Sequence, residues 1–245
     1  MRVNFNDLTA IQQLQVGQFA YPDIPFVHGP LSRTSTTLIA AYSTIINCGL
    51  GNYLEDLAPA WKPNGNIIWQ NKMVQTINDS LIQMIDMYRL TPDDDLLVKI
   101  FIRIQLWGGN TGRGVFTRGQ GFQGNFDIDS YREAVTMVNI NNNEALRSLL
   151  LMAQVGLSFA TKHLFFWGEN LPILDERISM LLYGKTLLPP GERRKVELYN
   201  SYISDLDAVA NNTPGVTRLV VERALFNWLD TPHGRQWYNI RQANA

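Results

Sequence analysis

Apolar residues recur along this chain mostly at helical spacing. Met73, Ile77, Leu81, Ile82, Ile85 and Tyr88 mark one face of a predicted helix over 68–87. Leu146, Leu149, Leu150, Met152 and Ala153 do the same over 144–155, with polar residues opposite them. The run from Thr34 to Cys48 is mostly apolar and ends at Gly49, which predicts a buried helix with a glycine stop. Val196 to Ala210 reads as helix, and so does 215–229, through Val216, Leu219, Val220, Ala224 and Leu225. One segment has two readings: Val98 to Trp107 fits a helix but also alternates like a strand.

Polar punctuation supplies the helix starts. Thr91-Pro92-Asp93-Asp94-Asp95 predicts a start with Thr91 as N-cap, Pro92 in the first turn and carboxylates on the positive end of the dipole. That helix would carry Asp95, Lys99 and Arg103 as one polar stripe. Asp127 opens another helix, and Asn141-Asn142-Asn143 breaks it and can cap the next. Residues 1–32 predict a short helix and an irregular segment, and 50–66 a loop with helical turns. Leu188-Pro189-Pro190-Gly191 separates two helices. The resulting fold class is all-α, with on the order of ten helices in two helical lobes.

Gly108 to Gly124 is too long and glycine-rich for a simple turn. It lacks the Lys-Ser/Thr end of a phosphate-binding P-loop. It is either a mobile surface loop or a loop that sets Arg113 and Arg118 on DNA phosphates. The densest basic run, Arg193-Arg194-Lys195, reads as a solvated helix face.

Charge changes the picture little. The 245 residues hold 21 basic and 22 acidic side chains, so a nucleic-acid partner would need a local basic face or helix-start amides. The single cysteine, Cys48, excludes an internal disulfide and a Cys-rich zinc or iron–sulfur site, and suits a cytoplasmic protein. His28, His163 and His233 do not form a metal pattern, and His163 reads as structural. No run approaches the roughly 18 apolar residues of a membrane span. The expectation is therefore no cofactor, no metal, no membrane and no evident protein partner.

Specific chemistry is legible in one place. Val155-Gly156-Leu157-Ser158-Phe159-Ala160-Thr161-Lys162 predicts a tight hairpin feeding a helix that carries Lys162. Leu171-Pro172-Ile173-Leu174-Asp175-Glu176-Arg177-Ile178 predicts an aspartate that begins the next helix. Around these residues the chain resembles the helix-hairpin-helix (HhH-GPD) DNA glycosylase superfamily, and most its 8-oxoguanine glycosylase-fold branch, which includes prokaryotic anti-phage members. The likeness around Asp175 is to the adenine-excising members.

The resemblance implies a helix-hairpin-helix motif and an active-site cleft between the lobes. One lobe would span about 66–172, the other 1–65 with 173–245. It implies double-stranded DNA with a modified base as partner, Lys162 and Asp175 as catalytic residues, and hairpin contacts to DNA through Gly156, Ser158 and Ala160. The excised base would be an oxidised purine such as 8-oxoguanine or a hypermodified phage base, with lyase action accompanying release.

The chemistry fits that pairing. A neutral amine can attack the sugar carbon C1′ and form a Schiff base, and a carboxylate favoured by a helix dipole can stabilise the developing cation. A base drawn from the stack needs an aromatic or arginine-lined pocket. Candidates are Arg103, Trp107, Phe166, Trp167, Trp228 and Trp237, and Phe165 could help enclose the site. The alternative is a non-catalytic helical module that binds nucleic acid or protein through the same hairpin.

Overall fold

The computed structural model describes residues 36–243 except 65, 185–190, 213, 230 and 231. The short helix expected within 1–32 and the break at 188–190 lie outside the described residues. Among the described residues every regular element is helical, so the fold is all-α. The chain divides into two compact units, and among the described residues the division falls between Val155 and Gly156.

The unit ending at Val155 begins with α1 (Thr36–Asn47). Gly49, at φ +78°, turns the chain there, and the Leu50 amide donates back to Ile45 O. A 3-10 helix (Gly51–Ala60) follows, in the stretch expected to hold helical turns. Helix α2 (Ile67–Leu90) is capped by Asn66, whose Oδ1 accepts from the Trp69 amide at 2.7 Å. Its buried stripe includes Met73, Ile77, Leu81, Ile85 and Tyr88. Ile82 falls off that stripe and is 51% exposed, because 82 sits about 100° around the helix from 81.

Helix α3 (Asp94–Trp107) is capped by Asp93, not by Thr91 as the sequence suggested. A residue before proline is pushed to extended backbone. Thr91 accordingly ends α2, its amide bonded to Met87 O, and the cap moves past Pro92. Every side chain from Ile100 to Trp107 is buried. A helix covered on all sides has no polar face to reveal its period, which explains the strand-like alternation there.

The glycine-rich stretch is not an open loop. It forms a 3-10 turn (Gly109–Arg113) and two helical turns (Gly114–Thr117, Gly121–Asn125). Asn125 Nδ2 donates to Val115 O and Arg118 O, and Phe101, Phe116, Phe122, Phe126 and Tyr131 pack with ring centroids 4.6 to 6.2 Å apart. Helices α4 (Ile128–Met137) and α5 (Asn142–Leu151) start on Asp127 and Asn141 and pack together. Helix α5 stops four residues short of the expected 155, since the hairpin begins at Met152.

The unit beginning at Gly156 contains α6 (Leu157–Trp167), α7 (Glu176–Tyr183), α8 (Glu192–Asn211), α9 (Arg218–Leu229) and α10 (Pro232–Ala243). Helix α8 packs on α9, and α10 contacts both α7 and α9. Val196, Tyr199, Tyr202, Leu206 and Val209 form the buried face of α8. On its outer face Arg193 pairs with Glu197, in line with a solvated face.

Candidate active site

The hairpin is a short turn closed by the Val155 amide donating to Met152 O at 3.2 Å. Gln154 takes φ +64°, in the left-handed region that favours glycine. Gly156 lies at φ −83°, and a Cβ added there would meet nothing within 4 Å. The position that bends the hairpin is therefore 154, whereas the sequence had directed attention to 156, 158 and 160. Gln154→Gly should raise unfolding stability by about 0.5–1 kcal/mol in a urea titration. It relieves roughly 1–2 kcal/mol of left-handed strain and returns roughly 0.4–1 kcal/mol to the freer unfolded chain.

Gly156 is exposed, and α6 has no side-chain cap. The Phe159 and Ala160 amides both donate to Gly156 O, which leaves the Leu157 and Ser158 amides to other acceptors.

Lys162 lies on the second turn of α6, and only 9% of it is exposed. Helical side chains lean toward the N-terminus. The amine accordingly reaches back one turn and donates to Ser158 Oγ at 2.7 Å and to Ser158 O at 3.2 Å. The Phe159 ring lies 4.6 Å from Nζ. Burial pushes the Lys162 ammonium down to a pKa of about 8, against partial support for the charge from Asp175 and Glu222.

Asp175 is the N-cap of α7, its Oδ1 accepting from the Ile178 amide at 2.8 Å. A clasp one residue upstream of each partner links the two helices. The Thr161 hydroxyl accepts from the Leu174 amide at 3.2 Å and has Leu174 O and Ser158 O as acceptors. Thr161 is fully buried, so this is an interior bond. Tyr199 of α8 donates to Pro172 O at 2.8 Å and fixes the same Leu-Pro-Ile-Leu segment.

Gly168 makes the return from α6 possible. A Cβ there would sit 2.3 Å from Leu171 Cδ1 and 2.7 Å from the Leu164 carbonyl. The sequence placed Lys162 and Asp175 on successive helices; the parts that hold them there, Thr161, Gly168 and Tyr199, went unnoticed.

Two further groups were missed. Glu222 of α9 is 1% exposed, and its charge is felt by Lys162, Tyr199 and Tyr202. The helical period did not point to it: Glu222 lies about 100° around α9 from Val221, off the stripe of Val221, Leu225 and Leu229. Burial pushes the Tyr202 phenol up, and the Glu222 and Asp175 carboxylates push it further. His163, next to Lys162, is fully buried and its pKa is held down to about 3 by burial and by Lys162. It is a neutral core histidine at physiological pH, in keeping with its structural reading.

The remaining candidates are spread over both units. Ala160 is fully buried and packs as core, which leaves its side chain no surface to offer DNA. The Ser158 hydroxyl is engaged by Lys162. Trp167 is buried, and Phe165 and Phe166 meet edge-to-face at 5.1 Å, each partly exposed. Trp237 is 37% exposed on α10, and the Trp228 side chain lies outside the described residues.

Arg103 and Trp107 are buried in the other unit. The Arg103 guanidinium donates to Asp56, to Ser80 Oγ at 2.8 Å and to Tyr53 O at 3.3 Å, and Lys99 Nζ lies 3.1 Å from Asp56 Oδ1. Of the expected polar stripe, Lys99 and Arg103 thus meet the 3-10 helix while Asp95 stays exposed, and Arg103 has a structural task there. Arg113 and Arg118 lie on the folded glycine-rich turns, Arg113 partly exposed and Arg118 exposed.

Among the described residues no group of three or more His, Cys, Asp or Glu is placed to hold a metal ion. No helix there is long and apolar enough to cross a membrane.

Residues 79–226, more than half the chain and including Lys162, Asp175 and Glu222, match the family described as "Putative 8-oxoguanine DNA glycosylase OGG-like protein". The chain belongs to that family, and its class of activity is that of a DNA glycosylase. No curated protein and no solved structure matches it.

Proposed function

We propose that this chain excises a modified base flipped out of double-stranded DNA, with Lys162 as nucleophile and Asp175 as its carboxylate partner. The observation that carries the reading is the Thr161 clasp, which ties the residue before Asp175 to the residue before a buried, pKa-depressed lysine. At a pKa of about 8, roughly a tenth of the amine is neutral at pH 7. At the ordinary lysine value the neutral fraction is roughly 300-fold smaller. Burial therefore supplies the attacking form.

The neutral amine attacks C1′ while the bond to the base breaks, and the leaving base takes up one of the two amine protons. Asp175 stabilises the positive charge that develops on the sugar. The remaining amine proton then passes to the ring oxygen as the sugar ring opens, giving a Schiff base that permits strand cleavage by elimination. The bare start of α6 at Gly156 supports a contact from backbone amides to DNA phosphate, which suits a chain whose net charge is −1. Arg113 and Arg118 are further phosphate candidates.

The substrate class is an oxidised purine such as 8-oxoguanine or a hypermodified phage base, with a role in repair or in anti-phage defence. The test is a screen of host and phage DNAs carrying different base modifications, with the released base detected by mass and the covalent adduct trapped by borohydride. Release of one base together with an adduct at Lys162 is the expected result. Binding without release from any of these DNAs would instead favour the non-catalytic module, the reading that the near-balanced charge supports.

A further inference from the structure

Ser158 holds a different position from the one its place in the hairpin suggested. Its hydroxyl is 2.7 Å from Lys162 Nζ and its carbonyl 3.2 Å, so both of the amine's hydrogen bonds described above end on this residue. Ser158 is partly exposed, whereas Lys162 is buried. The Phe159 ring flanks the same nitrogen. The remaining charged groups acting on it are Asp175 at the start of α7 and Glu222 of α9, with the neutral His163 beside it on α6.

A buried amine that must change protonation state needs a route for its proton. The hydroxyl bonded to it on a residue that water reaches provides one. We propose that Ser158 is the positioning residue of Lys162 and the relay through which its proton leaves. In that step one proton passes from the ammonium Nζ to Ser158 Oγ as the seryl proton passes to water. The products are a neutral amine, an intact serine and a hydronium ion. The freed lone pair on nitrogen then accepts from the serine hydroxyl, which holds the amine in place.

The catalytic consequence rests on the reading of Lys162 as nucleophile; the proton exchange itself does not. The test therefore has two arms, both on the full chain and its Ser158→Ala and Ser158→Thr variants. The first follows Lys162 Nζ by nitrogen NMR across pH, without DNA. Ser158→Ala should slow exchange of the Nζ protons with water about tenfold and move the titration midpoint down, because the ammonium loses an acceptor. Ser158→Thr keeps a hydroxyl and should restore both.

The second arm measures single-turnover base release and borohydride trapping, which should fall about tenfold or more in Ser158→Ala and return in Ser158→Thr. Unchanged exchange and midpoint in Ser158→Ala overturn the relay, as does equal impairment of both variants. An altered Nζ signal in a protein that releases no base from any DNA would sink the nucleophile reading and leave the serine–lysine relay standing.

Discussion

Lys162→Met should lower single-turnover base release by at least about 10³-fold and abolish borohydride trapping, while the protein stays folded. Methionine fills nearly the same volume and brings no charge. The lysine ammonium is disfavoured where it lies, as its depressed pKa records. An apolar replacement should therefore leave the variant no less stable at pH 7 in a denaturant titration.

The wild-type rate carries a matching signature. It should rise with pH through about 8 and then level, because only the neutral amine attacks. A variant that loses stability and activity together would point to structural failure. One that keeps its activity would remove the lysine from the chemistry.

Asp175→Asn is the second large effect. Asparagine caps a helix as well as aspartate does, so the bond from the Ile178 amide survives and stability should change by less than about 1 kcal/mol. What is lost is the negative charge that the proposed mechanism sets beside the reacting sugar, and base release should fall by about 10²- to 10⁴-fold. Asp175→Ala adds about 1 kcal/mol of destabilisation by removing the cap. Measured side by side, the two variants separate the charge from the hydrogen bond. Equal activity in Asp175→Asn and the wild type would leave Asp175 a cap and nothing more.

The features legible in the sequence were those decided over four or five residues. Asp127, Asn141 and Asp175 each begin a helix where a short polar side chain meets an apolar run, because capping is a local hydrogen bond. Even so, Thr91 gave way to Asp93 once the stiffness imposed by Pro92 is counted. The placement of Lys162 and Asp175 on successive helices could be read for the same reason: both residues sit near helix starts joined by a short connection.

What depended on distant partners could not be read. The glycine-rich turns are held by rings contributed from 101 to 131, and Arg103 is drawn inward by Asp56, 47 residues away. Glycine content alone suggested freedom that those rings remove. Glu222 looks in the sequence like any helix carboxylate; its burial emerges only from the packing of α9.

The bond from Tyr199 to the Pro172 carbonyl has a bearing on genetics. A search for loss-of-function alleles should return changes at 199 alongside those at 162 and 175, although the phenol acts two steps away from the reaction. Such an allele would look like an active-site lesion in a plaque or mutator assay. It could be told apart in the test tube, since cooling or a stabilising ligand should recover its turnover and would do nothing for the loss of the amine.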